Sequence, residues 1–184
     1  ILRRRWQNYS VDGRYHHGPG HPAWMLRYYD LRLGEIKNPR VLGWFALFHD
    51  DYMDFMAKPG ENEEISAISA EYELEGLLPG IELDLIGNAI RTSADHPIIT
   101  DDPDLAIGMD SDMAILGAPT PIFEQYRRNI RLEYRFAPES AFVARTIEFL
   151  EPIANGKQIC STDYGLEVLQ PQAVTNAQQE VQRL

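Results

Sequence analysis

The chain is short of the features that would place it quickly. Its single cysteine, Cys160, excludes an internal disulfide framework and thiolate metal chemistry, and fits a reducing compartment, so a cytoplasmic location is expected. No apolar run approaches the roughly 20 residues that a bilayer crossing demands, so no membrane association is expected. Cations are also scarce. The 17 Lys and Arg stand against 28 Asp and Glu, a formal charge of -11, which argues against DNA or RNA as a partner. There is no glycine-rich phosphate loop, no internal repeat, and no period-two alternation long enough for a sheet. The first residue is Ile1, not Met, which leaves room for a leading segment removed upstream.

What remains is a succession of helical patterns with proline and glycine between them. At 184 residues the chain suits one all-α domain, a helical bundle, with its core expected over residues 14–150 and a polar, Gln-rich C-terminal extension over 157–184. Leu2 to Tyr9 reads as a first short helix. Pro22 suits the first position of the next, with His21 at its N-cap. Asn38 and Pro39 open a helix that the apolar run Trp44 to Phe48 carries on through His49, Asp50, Asp51 and Asp54. Further helices are expected over Glu61–Leu78, with Ile65, Ile68 and Tyr72 at helical spacing, and over 81–95. After a polar loop from Thr100 to Asp104 come 105–117, Ile122–Phe136, a segment from Pro138 to near Ala154, and a short helix at the end.

The helical stretch 44–54 is the unusual one, because ionisable groups follow an apolar face inward only with a partner. Histidines and aspartates recur at four places: His16, His17 and His21; His49 and Asp50; His96; and Asp110 and Asp112. Imidazole and carboxylate together suit a divalent metal such as Mn, Fe, Ni or Zn. Leu105, Met109, Asp112, Ile115 and Leu116 follow one helical stripe, which turns Asp112 toward the core. Asp110, two positions away, points elsewhere and reads as a solvated surface charge. His96 before Pro97 reads equally well as the end of a helix.

Taken in order, Tyr15 to His21, Phe48-His49-Asp50 through Asp54, Asn62-Glu63-Glu64 with Ser66-Ala67, Thr92 with His96, and Met109 to Gly117 resemble the HD superfamily of metal-dependent phosphohydrolases. The likeness is to a poorly characterised branch of it and covers residues 14 to about 150. The resemblance implies an HD-like helical domain in which His21, His49, Asp50 and Asp112 bind a divalent metal (Mn, Fe, Ni, Zn or Mg). It implies an enzyme that hydrolyses a phosphomonoester or nucleotide with a metal-activated water. The YHHGPGH spacing leaves open whether His16 or His17 matches the family's first histidine. Met53 stands where some nucleotide-polyphosphate hydrolases have the first of an acidic pair, with Asp54 matching the second.

Within that mechanism Asp54, one helical turn past Asp50, is a candidate to orient the water, as are Glu63 and Glu64, which serve equally well as the acidic first turn of a helix. Arg14, Lys58 and Arg91, beside the ligand segments, are the candidate phosphate-binding cations, and a homo-oligomer is compatible with the amphipathic C-terminal half. Two other readings compete: a non-catalytic HD-like metal- or nucleotide-binding sensing module, and a helical interaction protein with buried, metal-free ion pairs.

Overall fold

A computed structural model describes residues 1–99 and 101–184. The chain forms α1 (Leu2–Tyr9), α2 (Gly20–Asp30), α3 (Pro39–Phe48), α4 (Glu61–Leu74), α5 (Gly80–Ser93) and α6 (Pro103–Met113). A 3-10 turn (Ala114–Gly117) leads into α7 (Thr120–Glu133), followed by α8 (Glu139–Ala154), a π turn (Gly165–Leu169) and α9 (Gln170–Arg183). The architecture is all-α. Among the described residues no helix is long and apolar enough to cross a membrane.

Helix α3 is the axis of the core. Phe45, Ala46 and Phe48 have no exposed surface, and α2, α4, α5 and α6 all pack around them. Its start follows from local chemistry: the Asn38 side chain accepts from the Val41 N–H, and Pro39 occupies a position where no amide hydrogen is needed. The start of α6 is built alike, with Asp102 capping Asp104 and Leu105 ahead of Pro103. The polar loop expected from Thr100 begins on the residue outside the description and ends there, at Asp102.

These two helices are tied at their N-terminal ends by Asp104, whose carboxylate accepts from the amides of Lys37 and Asn38. Further along, Gly108 lets α6 close on α3: a Cβ there would lie 3.2 Å from Leu42 and 3.3 Å from Phe45. One turn past that contact, position 112 on α6 meets position 49 at the end of α3.

Several boundaries differ from the sequence expectation. Helix α3 stops at Phe48, with His49 as its C-cap, so Asp50 to Asp54 follow in turns and not on a helix. Helix α4 ends at Leu74, shortly before Gly76 with its positive φ of 73°. Its Ile65, Ile68 and Tyr72 do share a face, but that face is solvated, with Tyr72 77% exposed. The buried side is the small one, Ser66, Ala67 and Ala70 with Leu74.

Residues 157–184 are part of the core. Ile159, Cys160, Leu169, Ala173 and Ala177 are buried in it, and Asn176 donates to the carbonyls of Leu116 and Ala118, holding the 3-10 turn. A polar composition disguised a narrow apolar stripe, Leu169, Ala173 and Ala177, spaced to share one face.

Candidate metal centre

His21, His49, Asp50 and Asp112 arrive from three directions. His21 lies in the first turn of α2, one position inside the helix, where its amide donates to the Gly18 carbonyl. The preceding loop needs glycine at that point, because a Cβ on Gly18 would sit 2.9 Å from the Arg14 carbonyl oxygen. His49 and Asp50 follow the end of α3, and Asp112 comes from the last turn of α6.

The donor atoms converge. His21 Nε2 lies 3.0 Å from His49 Nε2, 2.9 Å from Asp112 Oδ1 and 3.6 Å from Asp50 Oδ2. His49 Nε2 lies 3.2 Å from Asp50 Oδ2 and 3.7 Å from Asp112 Oδ1. Donors held about 2.1 Å from one ion are separated by roughly 3.0 Å at right angles and 3.4 Å at tetrahedral angles, so these edges are of the size a shared cation would set. His21, His49 and Asp50 are buried, His49 to 2% exposure, and the Asp112 side chain is 10% exposed.

The proton arithmetic points the same way. His49 Nδ1 lies 3.1 Å from the Ala46 carbonyl, to which it donates, and this directs the Nε2 lone pair of the neutral ring into the cluster. A proton on His21 Nε2 alone leaves His49 Nε2 facing Asp50 with two acceptors. A proton on His49 Nε2 alone leaves His21 facing Asp112 the same way, and protons on both set two N–H groups against each other across 3.0 Å. A cation between the four relieves all three conflicts.

The charges are consistent with this. Burial alone would raise both carboxyls. The histidines outweigh it, His49, His17 and His21 around Asp50, and His21, His49 and His96 around Asp112, and hold both carboxyls well below the usual carboxylate range. Burial likewise opposes protonation of His49, but Asp50 and Asp112 lift it to about 9.

Further residues act on this site from outside the four. His96 Nε2 lies 3.0 Å from Asp112 Oδ2, on a side chain 40% exposed and a backbone with φ of 43°, unusual for a residue with a Cβ. Glu133, fully buried at the end of α7, accepts through Oε1 from three successive amides, Tyr15, His16 and His17, at 2.7, 2.7 and 2.9 Å. Its Oε2 takes a 2.8 Å bond from His17 Nδ1. Burial disfavours a charge on His17, yet Glu133 and Asp50 raise it, whereas His16 is pushed well down by burial and its histidine neighbours.

His16, His17, His96 and Asp112 form one end of a cavity of about 510 Å³, whose walls come from Met113, Ile115, Tyr126, Ile130, Tyr134 and Phe142 with Arg127, Arg145 and Thr146. Burial pushes Tyr126 up to about 12, so it stays a neutral donor.

The other expected site residues are placed elsewhere. The Arg14 guanidinium donates four of its five N–H groups to the carbonyls of Asn8, His17, Asp50 and Asp51 and stacks on Tyr9, so it fixes the ligand loops. Arg91 is paired with Glu64 and Glu71 between α4 and α5, which removes both Arg91 and Glu64 from the candidate roles given them. Lys58 is exposed on the loop before α4, where its amide donates to Glu61. Asp54 is exposed and accepts from the Met56 amide. Glu63 is half-buried, its charge acting on Tyr134 of the cavity wall after burial, Glu133 and Asp50.

Asp110 is not a solvated charge. It has no exposed surface and accepts from the Ser161 and Thr162 amides and the Thr162 hydroxyl. Glu133 and Tyr126 were not signalled by the sequence. A loop with several free amides around Gly18 implies an anion, but nothing local names a partner 116 residues away.

Compared with known proteins, the chain matches no family model, no curated protein and no solved structure.

Proposed function

We propose that the chain is a divalent-metal-dependent phosphohydrolase acting on a phosphomonoester or nucleotide, as the resemblance to the HD superfamily implies. The observation that carries this reading is the convergence of two imidazoles and two carboxylates, 2.9 to 3.7 Å apart across the measured pairs, with one of the four, Asp112, also lining an open cavity. His21, His49, Asp50 and Asp112 would hold the ion. Bound there, a divalent cation supplies neutralisation of phosphoryl charge and Lewis acidity toward water and the phosphoryl oxygen.

The rest falls to the protein's own side chains. The Ala46 carbonyl orients His49, and Arg14 fixes the carbonyls of Asp50 and Asp51. His17, oriented by Glu133, holds a proton at the cavity end, where a leaving oxygen needs one.

One observation favours the sensing-module alternative. Asp54, Glu64 and Lys58, three of the groups expected to assist turnover, face solvent or other partners. The deciding experiment loads the purified protein with Mn, Fe, Ni, Zn or Mg and measures phosphate release from a range of phosphomonoesters and nucleotides. Metal-dependent release abolished by Asp50→Asn supports the hydrolase, and bound metal without release from any of them supports the sensor.

A further inference from the structure

The cavity beside the cluster has a chemistry of its own, and it narrows what the site would accept. Its four-group polar end is followed by walls of Met113, Ile115, Tyr126, Ile130, Tyr134 and Phe142. At about 510 Å³ it falls within the range of small-molecule sites.

Two features argue against a nucleoside polyphosphate there. First, cations are few: of the two arginines lining the cavity, Arg127 is buried and committed to Glu180 and Thr146, and Arg145 is largely exposed beside Glu148. Asp50 and Asp112 already balance the charge of a divalent ion, so every phosphate adds uncompensated charge, and a phosphate chain adds more of it than a single phosphate does. Second, among the described residues no Asn, Gln or Lys lines the walls, so the polar edge of a base would meet mostly hydrocarbon, with the hydroxyls of Tyr126, Tyr134 and Thr146 as its few partners.

We infer that the substrate class is the monophosphate ester of a bulky apolar or aromatic alcohol, with the phosphate at the His/Asp cluster and the organic group in the cavity between α7 and α8. This rests on the phosphohydrolase reading above. In the reaction one water is consumed: its oxygen forms the new bond to phosphorus, the ester P–O bond breaks, and the water's proton ends on the departing alcohol. The products are inorganic phosphate and the free alcohol.

The test uses the full chain loaded with Mn and compares kcat/KM for three alkyl esters of similar leaving-group strength, glycerol phosphate, 2-naphthylmethyl phosphate and adenosine monophosphate, alongside direct binding of 2-naphthol to the metal-free protein. The expected result is a preference on the order of 50-fold for the naphthylmethyl ester over glycerol phosphate, from the extra apolar surface buried. Adenosine monophosphate should fall below the naphthylmethyl ester, and 2-naphthol should bind. Ile130→Asp should collapse the preference and weaken 2-naphthol. Ala141→Trp, an exposed position on the cavity wall, should do the same by bulk and guards against a folding defect in the first variant.

Hydrolysis of all three esters at similar rates, or a preference for the nucleotide, would overturn the inference and leave the hydrolase reading intact. Hydrolysis of none would overturn both, and 2-naphthol binding would then show whether the cavity serves an apolar ligand without turnover.

Discussion

Asp110 and Asp112 stand two positions apart on α6 and send their carboxylates to different places. Asp110 holds the loop at Ser161 and Thr162, and Asp112 lies between His21 and His96. Substitution should therefore separate stability from ion binding. Asp110→Ala leaves buried amides unpaired and is expected to cost about 2–4 kcal/mol in urea unfolding while the chain still takes up a divalent ion. Asp112→Asn is expected to lower ion affinity at least about 10-fold, a loss that Asp110→Ala should not share. Equal effects on both properties would contradict the division.

Ion content is the most direct measurement. After loading with Mn or Zn and desalting, the native chain should retain about one equivalent by elemental analysis, and His49→Ala combined with Asp50→Ala should retain close to none. Near-zero metal in both would return the cluster to the role of a metal-free set of ion pairs.

The pH dependence of the metal-free chain has a definite sign. His49 is raised to about 9 in the fold, so the stability it contributes is complete below the unfolded value near 6.5 and is lost as pH rises toward 9. Its ceiling is about 3 kcal/mol. Asp50 and Asp112 are lowered, so their contribution is present above about 4 and fades in acid. The metal-free Tm is expected to fall from pH 6.5 to 9. The gain in Tm on adding metal should grow over the same interval, because the ion competes with the proton on His49. A Tm flat across that interval would exclude His49 as the titrating group.

Glu133 tests how the loop before α2 is held. Glu133→Ala removes the acceptor of three consecutive amides and of His17, and should cost about 3 kcal/mol or more. Glu133→Gln keeps one oxygen for the amides and should cost less, while lowering the pKa of His17, which NMR titration of the imidazole would read.

Much of the helical layout was legible because prolines and caps mark it. Asn38-Pro39 starts α3 and Leu2–Tyr9 needed only its pattern, whereas α6 starts at Asp102-Pro103, inside the stretch the sequence reads as loop. The end of α3 was not legible, since the apolar run Trp44 to Phe48 has no stop signal and the turn after it is stabilised by Arg5 and Asn8 bonding to Asp51 from far along the chain. The cations were misread for the same reason. Nearness in sequence put Arg14 and Arg91 beside the site, but guanidinium groups are claimed by whichever acceptors the fold brings up: backbone carbonyls for Arg14, and Glu64 and Glu71 for Arg91. On α4, the large apolar residues share a face that nothing covers, and the tight pairing with α5 selected the small face instead.

The four donors of the cluster are spread from position 21 to position 112 and meet only where three helices end or begin. No nicked or truncated piece lacking α2, the end of α3 or α6 can assemble the full set. An ion retained through gel filtration would thus serve as a tally of intact molecules in a preparation, and its release during unfolding would mark the moment those helices part.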